Sequence, residues 1–282
     1  MKTLTWLILG FALTLAHVHA HADVIESQVL KIESSANASD ASLVYMADGQ
    51  LVRVHAVDYP TLRKFELVEI SGDVVRFNVT HLGSFDHVGD VQVVEPSTTG
   101  FSPESFARPQ ASAQDYQPTD FVTVENAQAQ FQKLDPNMRR RSQCYQRAEN
   151  WAYEMYRSSR VYSLKNFMFF TRKFIQETNY HWWFHVTPVV MVSGVEYTLD
   201  RTFTDGALTM QEWTAEFMPK DVTCPVVQKY SEYSEHQSEQ LCYHIQVPMY
   251  YYQPKNIEEL EKGKVVTDFA PEDLAHARRA YR

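Results

Sequence analysis

Cysteine is scarce in this chain: three in 282 residues, at Cys144, Cys224 and Cys242. Neither an HExxH motif nor a pair of CxxC motifs is present, so the usual frameworks for a zinc site are missing. After the first 22 residues no stretch approaches the ~20 apolar residues that span a bilayer. Positive charge is in deficit, 26 Lys and Arg against 35 Asp and Glu, for a net charge of −9. An acidic balance argues against nucleic acid or an anionic membrane as the main partner. No internal repeat at solenoid spacing is found either.

The N-terminus reads as an export signal. Lys2 is followed by the apolar run LTWLILGFALTLA at 4–16 and then by the small residues of VHA-HA. This pattern predicts a secretory signal peptide over 1–22, cleaved after Ala20 or Ala22, because the run is too short for an anchor. The expected product is a soluble, secreted protein, extracellular or periplasmic, of about 260 residues. Exported cysteines tend to pair. Cys224 and Cys242 stand 18 residues apart in one loop-rich stretch, which makes a disulfide between them the economical expectation. Cys144 is then the odd thiol: an intermolecular bridge, a reactive group or an inert buried side chain.

The pattern along the chain predicts two units. Residues 23–95 read as an all-β domain of short strands: SLVYMADGQLVRVHAV as a hairpin around Asp48–Gly49, and KFELVEISGDVVRFNVTHL as another around Ser71–Gly72–Asp73. Residues 96–118 are rich in Pro, Ser, Gly, Ala and Gln without apolar periodicity, a linker open to proteases. The second unit, 119–282, mixes helix and strand. A helix is expected over 122–134, ended by Asp135–Pro136, and another from Cys144, with Ser142 as N-cap. Cys144, Ala148, Trp151, Ala152 and Met155 fall on one face of the latter. HWWFHVTPVVMVSG and VEYTLDRTF read as adjacent strands around Ser193–Gly194, and PEDLAHARRAYR as a terminal helix. Residues 162–176 have no assignable pattern.

A helix N-terminus is a favourable place for a nucleophilic cysteine, because unpaired backbone N–H groups favour a thiolate. Such a nucleophile needs a base. His181, His185, His236, His244 and His276 are the histidines of the second unit. His185 lies within a strand-like run, and Asp200 lies in the next strand, where pairing would bring the two together. A carboxylate there would fix the imidazole's tautomer, as in cysteine–histidine–acid catalysis. A metal reading of His181 and His185 is weak. On a strand rising about 3.3 Å per residue the two would stand about 13 Å apart.

The ordered set CYQRA (144–148), WWFHVTPVVMV (182–192) and YTLDRTFTDGALTMQEW (197–213) resembles the bacterial protein-glutamine glutaminases. The resemblance covers roughly residues 140–215. It implies an α+β fold with a helix-borne cysteine packed on an antiparallel sheet, a papain- or transglutaminase-like core. It also implies Cys144 as nucleophile, His185 as general acid and base, and Asp200 as the acid that orients His185. The family usually follows that acid with Pro and Ser, where this chain has Arg201–Thr202. The expected activity is hydrolysis of the side-chain amide of protein- or peptide-bound glutamine through a cysteine thioester, with no cofactor and no metal. Residues 23–95 would be a pro-region removed by an activating protease, or else a permanent accessory domain. The same three residues also fit a transglutaminase, a papain-like protease, or a secreted binding protein whose site is vestigial.

Overall fold

The computed structural model describes residues 22–33, 41–95, 116–136, 142–178, 180–233 and 239–279. Residues 1–21, most of the linker read at 96–118, and His236 lie outside them. Among the described residues no helix is long and apolar enough to cross a membrane.

The first unit is a six-stranded antiparallel sheet. Its strands are β1 (Asp23–Glu33), β2 (Ala41–Met46), β3 (Leu51–His55), β4 (Val74–Leu82), β5 (Phe85–Val88) and β6 (Gln92–Glu95). They lie in the order β3-β2-β1-β4-β5, with β6 also paired to β4. The hairpin around Asp48–Gly49 forms, with Gly49 at a φ of +91°.

The unit is not all-β. In place of the first strand of the second expected hairpin stands helix α1 (Tyr59–Ser71). Its ends explain why. The Asp58 carboxylate accepts from the Thr61 amide at 3.3 Å, Pro60 sits in the first turn, and left-handed Gly72 closes the helix onto the Val68 carbonyl at 2.8 Å. Leu62, Phe65 and Val68 recur at helical spacing and are buried against Ile25, Val29, Val44, Val52 and Phe77.

Strand β2 is buried on both faces. Val44 and Met46 point into the first unit's core, whereas Leu43 and Tyr45 join an apolar cluster with Tyr145, Phe169, Trp183 and Phe184 of the second unit. In β3 the alternate residues Leu51 and Arg53 face the same way as their cross-strand partners Tyr45 and Leu43.

The second unit is a mixture of helices and a mainly antiparallel sheet. Its strands are β7 (Asp120–Phe121), β8 (Leu164–Phe170), β9 (Phe184–Val192), β10 (Val195–Thr198), β11 (Leu208–Thr209) and β12 (Cys242–Pro248). The order is β11-β10-β9-β8-β12, with β7 parallel to the end of β9. Strand β8 and the short α4 (Arg172–Thr178) account for the stretch without an assignable pattern. Asn166, Phe167, Met168, Phe169 and Phe170 are all buried, so no polar alternation marks the strand. The other helices are α2 (Val124–Lys133), α3 (Cys144–Ser159), α5 (Met210–Thr214), α6 (Pro254–Glu261) and α7 (Pro271–Arg279). The Cys224–Cys242 disulfide ties the loop before β12 to that strand, with a Cα separation of 5.0 Å.

Helix α3 packs on the sheet through the face predicted from spacing. Trp151 and Met155 meet Phe131, Val190 and Leu199, and Ala148 joins the cluster around Phe167 and Phe184. A fully buried ion pair between Lys165 of β8 and Glu149 pins the helix, and Lys165 Nζ also donates to the Tyr251 carbonyl at 2.9 Å. The helix therefore has little freedom to slide, and its first residue is held in place.

Candidate active site

Cys144 is the first residue of α3 and is free and buried. The helix N-cap is Gln143 rather than Ser142. The Gln143 amide donates to Gln146 Oε1 at 2.9 Å, closing a capping box. Ser142 instead offers its carbonyl to the Arg147 guanidinium.

His185 is the second residue of β9, paired with Met168 on β8. Asp200 follows the end of β10, where the chain turns away from the sheet. The Asp200 carbonyl accepts from the amides of Phe203 and Thr204 at 3.2 and 3.1 Å, which makes a tight turn. The structure places His185 Nε2 2.6 Å from Asp200 Oδ2, with both residues buried. Since Nε2 is engaged there, Nδ1 is the nitrogen left for the Cys144 sulfur, which lies within hydrogen-bonding reach of the imidazole.

Burial opposes a charged imidazole, but the Asp200 carboxylate, its hydrogen bond and the Cys144 sulfur outweigh it, and His185 is pushed up to about 9. Burial likewise opposes the Asp200 anion. The His185 charge and hydrogen bond, the Trp213 indole and Arg147 outweigh it, so the carboxyl is held below its ordinary range. The arrangement favours an imidazolium–carboxylate pair beside the Cys144 sulfur in a buried site.

Trp213, on α5, was not singled out from the sequence. Its Nε1 donates to Asp200 Oδ2 at 3.0 Å, and its ring stacks on His185 with centroids 5.6 Å apart. Phe203 and Phe217 close the other sides of the imidazole, each 4.9 Å from it. Asp200 Oδ1 accepts from the Thr202 amide at 3.3 Å, and Arg201 lies over the Phe131 ring at 4.8 Å. The two residues that depart from the resembled pattern thus brace the turn that carries Asp200.

The remaining histidines are placed elsewhere. His244 is buried between Asn166 and Thr214, at 3.0 Å from each, and burial pushes it down to about 4. His276 on α7 meets the Tyr252 hydroxyl at 3.1 Å. His181 sits at the boundary with the first unit, where Arg53 Nη2 reaches its Nδ1 at 3.1 Å.

The first unit's hairpin docks immediately before His185. Trp183 N donates to the Gly49 carbonyl at 3.0 Å, Leu51 N to the His181 carbonyl at 2.9 Å, and Trp183 Nε1 to the Met46 carbonyl at 3.0 Å. A Cβ at Gly49 would stand 3.2 Å from the Trp182 ring and 3.3 Å from Phe184. The Asp48 carboxyl is buried and accepts from Gln50 N and Gln50 Nε2 at 3.0 and 3.1 Å. Burial pushes it up to about 7 despite those bonds. Tyr145, the residue after Cys144, is buried and is pushed well up by that burial, with the Asp48 charge at the hairpin tip adding in the same direction.

A protein-family model described as glutaminase matches residues 122–217, the segment that carries Cys144, His185, Asp200 and Trp213. The resemblance to the protein-glutaminases is thereby borne out over that segment, and the match supports a hydrolase acting on amides. Among solved structures, a pro-protein-glutaminase is 13% identical with a TM-score of 0.47, over 82% of this chain and 84% of that one. A mutant of pro-protein-glutaminase has the same identity and score over 91% and 99%. No curated protein matches the chain.

Proposed function

We propose that this chain is a secreted protein-glutamine glutaminase with Cys144 as nucleophile, His185 as general acid and base, and Asp200 as the residue that orients His185. The observation that carries the reading is the short His185–Asp200 hydrogen bond beside the free Cys144 at a helix start, inside the segment that matches the glutaminase model. The helix-on-sheet placement of the cysteine fits a papain- or transglutaminase-type core. The Cys144 sulfur, its proton passed to His185, attacks the glutamine carboxamide carbon. The tetrahedral adduct collapses as His185 returns the proton to the departing ammonia. Water, deprotonated by His185, then attacks the γ-glutamyl thioester, and the products are glutamate and the free thiol. The Cys144 backbone N–H, at the open end of α3, is suited to stabilise the oxyanion.

The reading extends to the first unit as a cover over the site, removed by a protease acting in the 96–118 segment. Its support is the burial of Cys144 and Tyr145 in the same apolar cluster as Leu43, Tyr45 and Leu51.

Mass spectrometry of a glutamine-bearing peptide after incubation with the cut enzyme tests the activity. Replacement of the glutamine NH2 by OH, with ammonia released, is the expected outcome. Crosslinking to an added amine would favour a transglutaminase, and main-chain cleavage a protease. No change, with Cys144 alkylated no faster than a free thiol, would leave a binding protein.

A further inference from the structure

Four polar side chains meet where the two units touch. His81 lies near the end of β4, Asp86 in β5 and Arg53 in β3, all in the first unit; His181 precedes β9 in the second. The His81 and His181 rings lie 4.0 Å apart at 38°. Asp86 Oδ1 is 2.7 Å from His81 Nδ1, and Asp86 Oδ2 accepts from the Arg53 amide at 2.7 Å. Both carboxylate oxygens are thus engaged within the first unit. The Arg53 guanidinium can only donate, so the His181 Nδ1 that it meets at 3.1 Å must carry a lone pair.

That geometry requires a neutral His181. A proton on Nδ1 removes the acceptor that Arg53 uses and sets a second cation beside the guanidinium. The backbone carbonyl of the same residue accepts from Leu51 N, so His181 is also where β3 attaches to the second unit. We propose that His181 is an acid-released latch, whose protonation loosens the first unit from the Cys144 cleft. The proposal rests on the reading of residues 23–95 as a cover.

The groups around His181 agree in sign. Burial, then His81, then Arg53 hold it below its ordinary value, while Asp86 and Asp23 offset this in part. A histidine depressed in the closed state stabilises closure above its open-state pKa of about 6.5, and that stability is lost as the pH falls through this value. Asp48, at the neighbouring hairpin tip, titrates in the opposite sense. His81, Asp86 and His181 are residue types that bind metals, with donor atoms within 4.8 Å of one another. The Arg53 guanidinium already places a positive charge between Asp86, at 3.8 Å, and His181. A proton-controlled contact fits that charge better than a divalent cation does.

The test is amide hydrogen exchange on the full chain carrying Cys144→Ala, with and without His181→Gln. The glutamine keeps an acceptor for Arg53 and cannot become a cation. Protection is followed at Leu51 and Trp183, whose N–H groups bridge the two units, and at Phe77, inside the first sheet, after correction for intrinsic exchange. Between about pH 7.5 and pH 5 the protection of Leu51 and Trp183 relative to the His181→Gln chain should fall roughly threefold or more, with Phe77 unchanged. Asp48 is common to both chains and cancels in that ratio. An unchanged ratio, or an equal loss at Phe77, overturns the latch. So does zinc at pH 7.5 raising protection only when His181 is present, because a metal clamp then holds the contact. The readout needs no turnover, so its failure is distinct from failure of the deamidase reading.

Discussion

Trp213 and His185 donate to the same atom: the indole Nε1 at 3.0 Å and the imidazole Nε2 at 2.6 Å both reach Asp200 Oδ2. The tryptophan also stacks on the imidazole, so it restrains the acid and the ring together. Trp213→Phe keeps most of the stacking surface and removes the donor. A hydrogen bond to a charged acceptor contributes about 1.5–3 kcal/mol, so kcat/KM should fall roughly tenfold to a hundredfold. A loss confined to kcat with KM unchanged is expected; a loss confined to KM would show that Trp213 serves the substrate instead.

Cys144→Ala should abolish ammonia release without unfolding the chain, since Ala fills most of the buried thiol's place. His185→Ala should be nearly as damaging. Asp200→Asn should leave weak residual activity, lower by ~10³–10⁴, because it misorients the base without removing it. Circular dichroism alongside initial rates separates these effects from misfolding. If His181→Ala harmed the cut enzyme more than His185→Ala, the assignment of the base would be wrong.

The docked hairpin leads us to expect latency. The uncut chain should be nearly inactive, and activity should rise as proteolysis cuts within 96–118. Tethering at an effective concentration near millimolar keeps even a weak contact mostly closed, and cutting removes that advantage. Fragment masses and ammonia release, followed together over time, check the link. An uncut chain as fast as the cut one would make residues 23–95 a permanent accessory module.

Gly49→Ala should open the cover without any cut. The residue holds a φ of +91°, and its added methyl would meet Trp182 at 3.2 Å. The left-handed turn belongs to the hairpin itself, so it is the methyl's contact with Trp182 and Phe184 that acts on docking. Basal activity of the uncut variant should therefore rise, read as ammonia release in the presence of protease inhibitors.

The Asp48 carboxyl makes the folded chain sensitive to rising pH. Its pKa is raised to about 7 in the folded chain, against about 3.9 when exposed. A raised carboxyl lends stability that is complete below about pH 4 and is lost as the pH rises through about 7. Asp48→Asn can keep the bond from the Gln50 amide and has no proton to lose. Its melting temperature should match the parent's near pH 4 and exceed it by a margin that grows up to about pH 7 and then levels off. A margin independent of pH would show that Asp48 stays ionised in the fold.

Local pattern was enough for much of the fold. Apolar spacing placed α3 and the face it buries, and the Ser193–Gly194 and Asp48–Gly49 turns marked their hairpins, because these signals depend on residues a few positions apart. Helix α1 was missed for a local reason. Its apolar residues also fit an alternating pattern, and the decisive marks were Asp58, Pro60 and Gly72 at its ends. Strand β8 was missed because burial on both faces removes the alternation by which a strand is recognised. The same feature in SLVYM at 42–46 was a legible sign that a second surface covers β2.

The sequence by itself singled out the residues proposed to carry the chemistry, the ordered Cys144, His185 and Asp200, with strand pairing expected to join the last two. Only the tertiary structure decided that Trp213 shares the Asp200 oxygen, that His244 is a buried neutral group, and that His181 faces Arg53 and His81. The physical reason is sequence distance. His181 and Arg53 are 128 positions apart, and contacts of that kind follow from how two finished sheets pack, which no periodicity within either segment encodes.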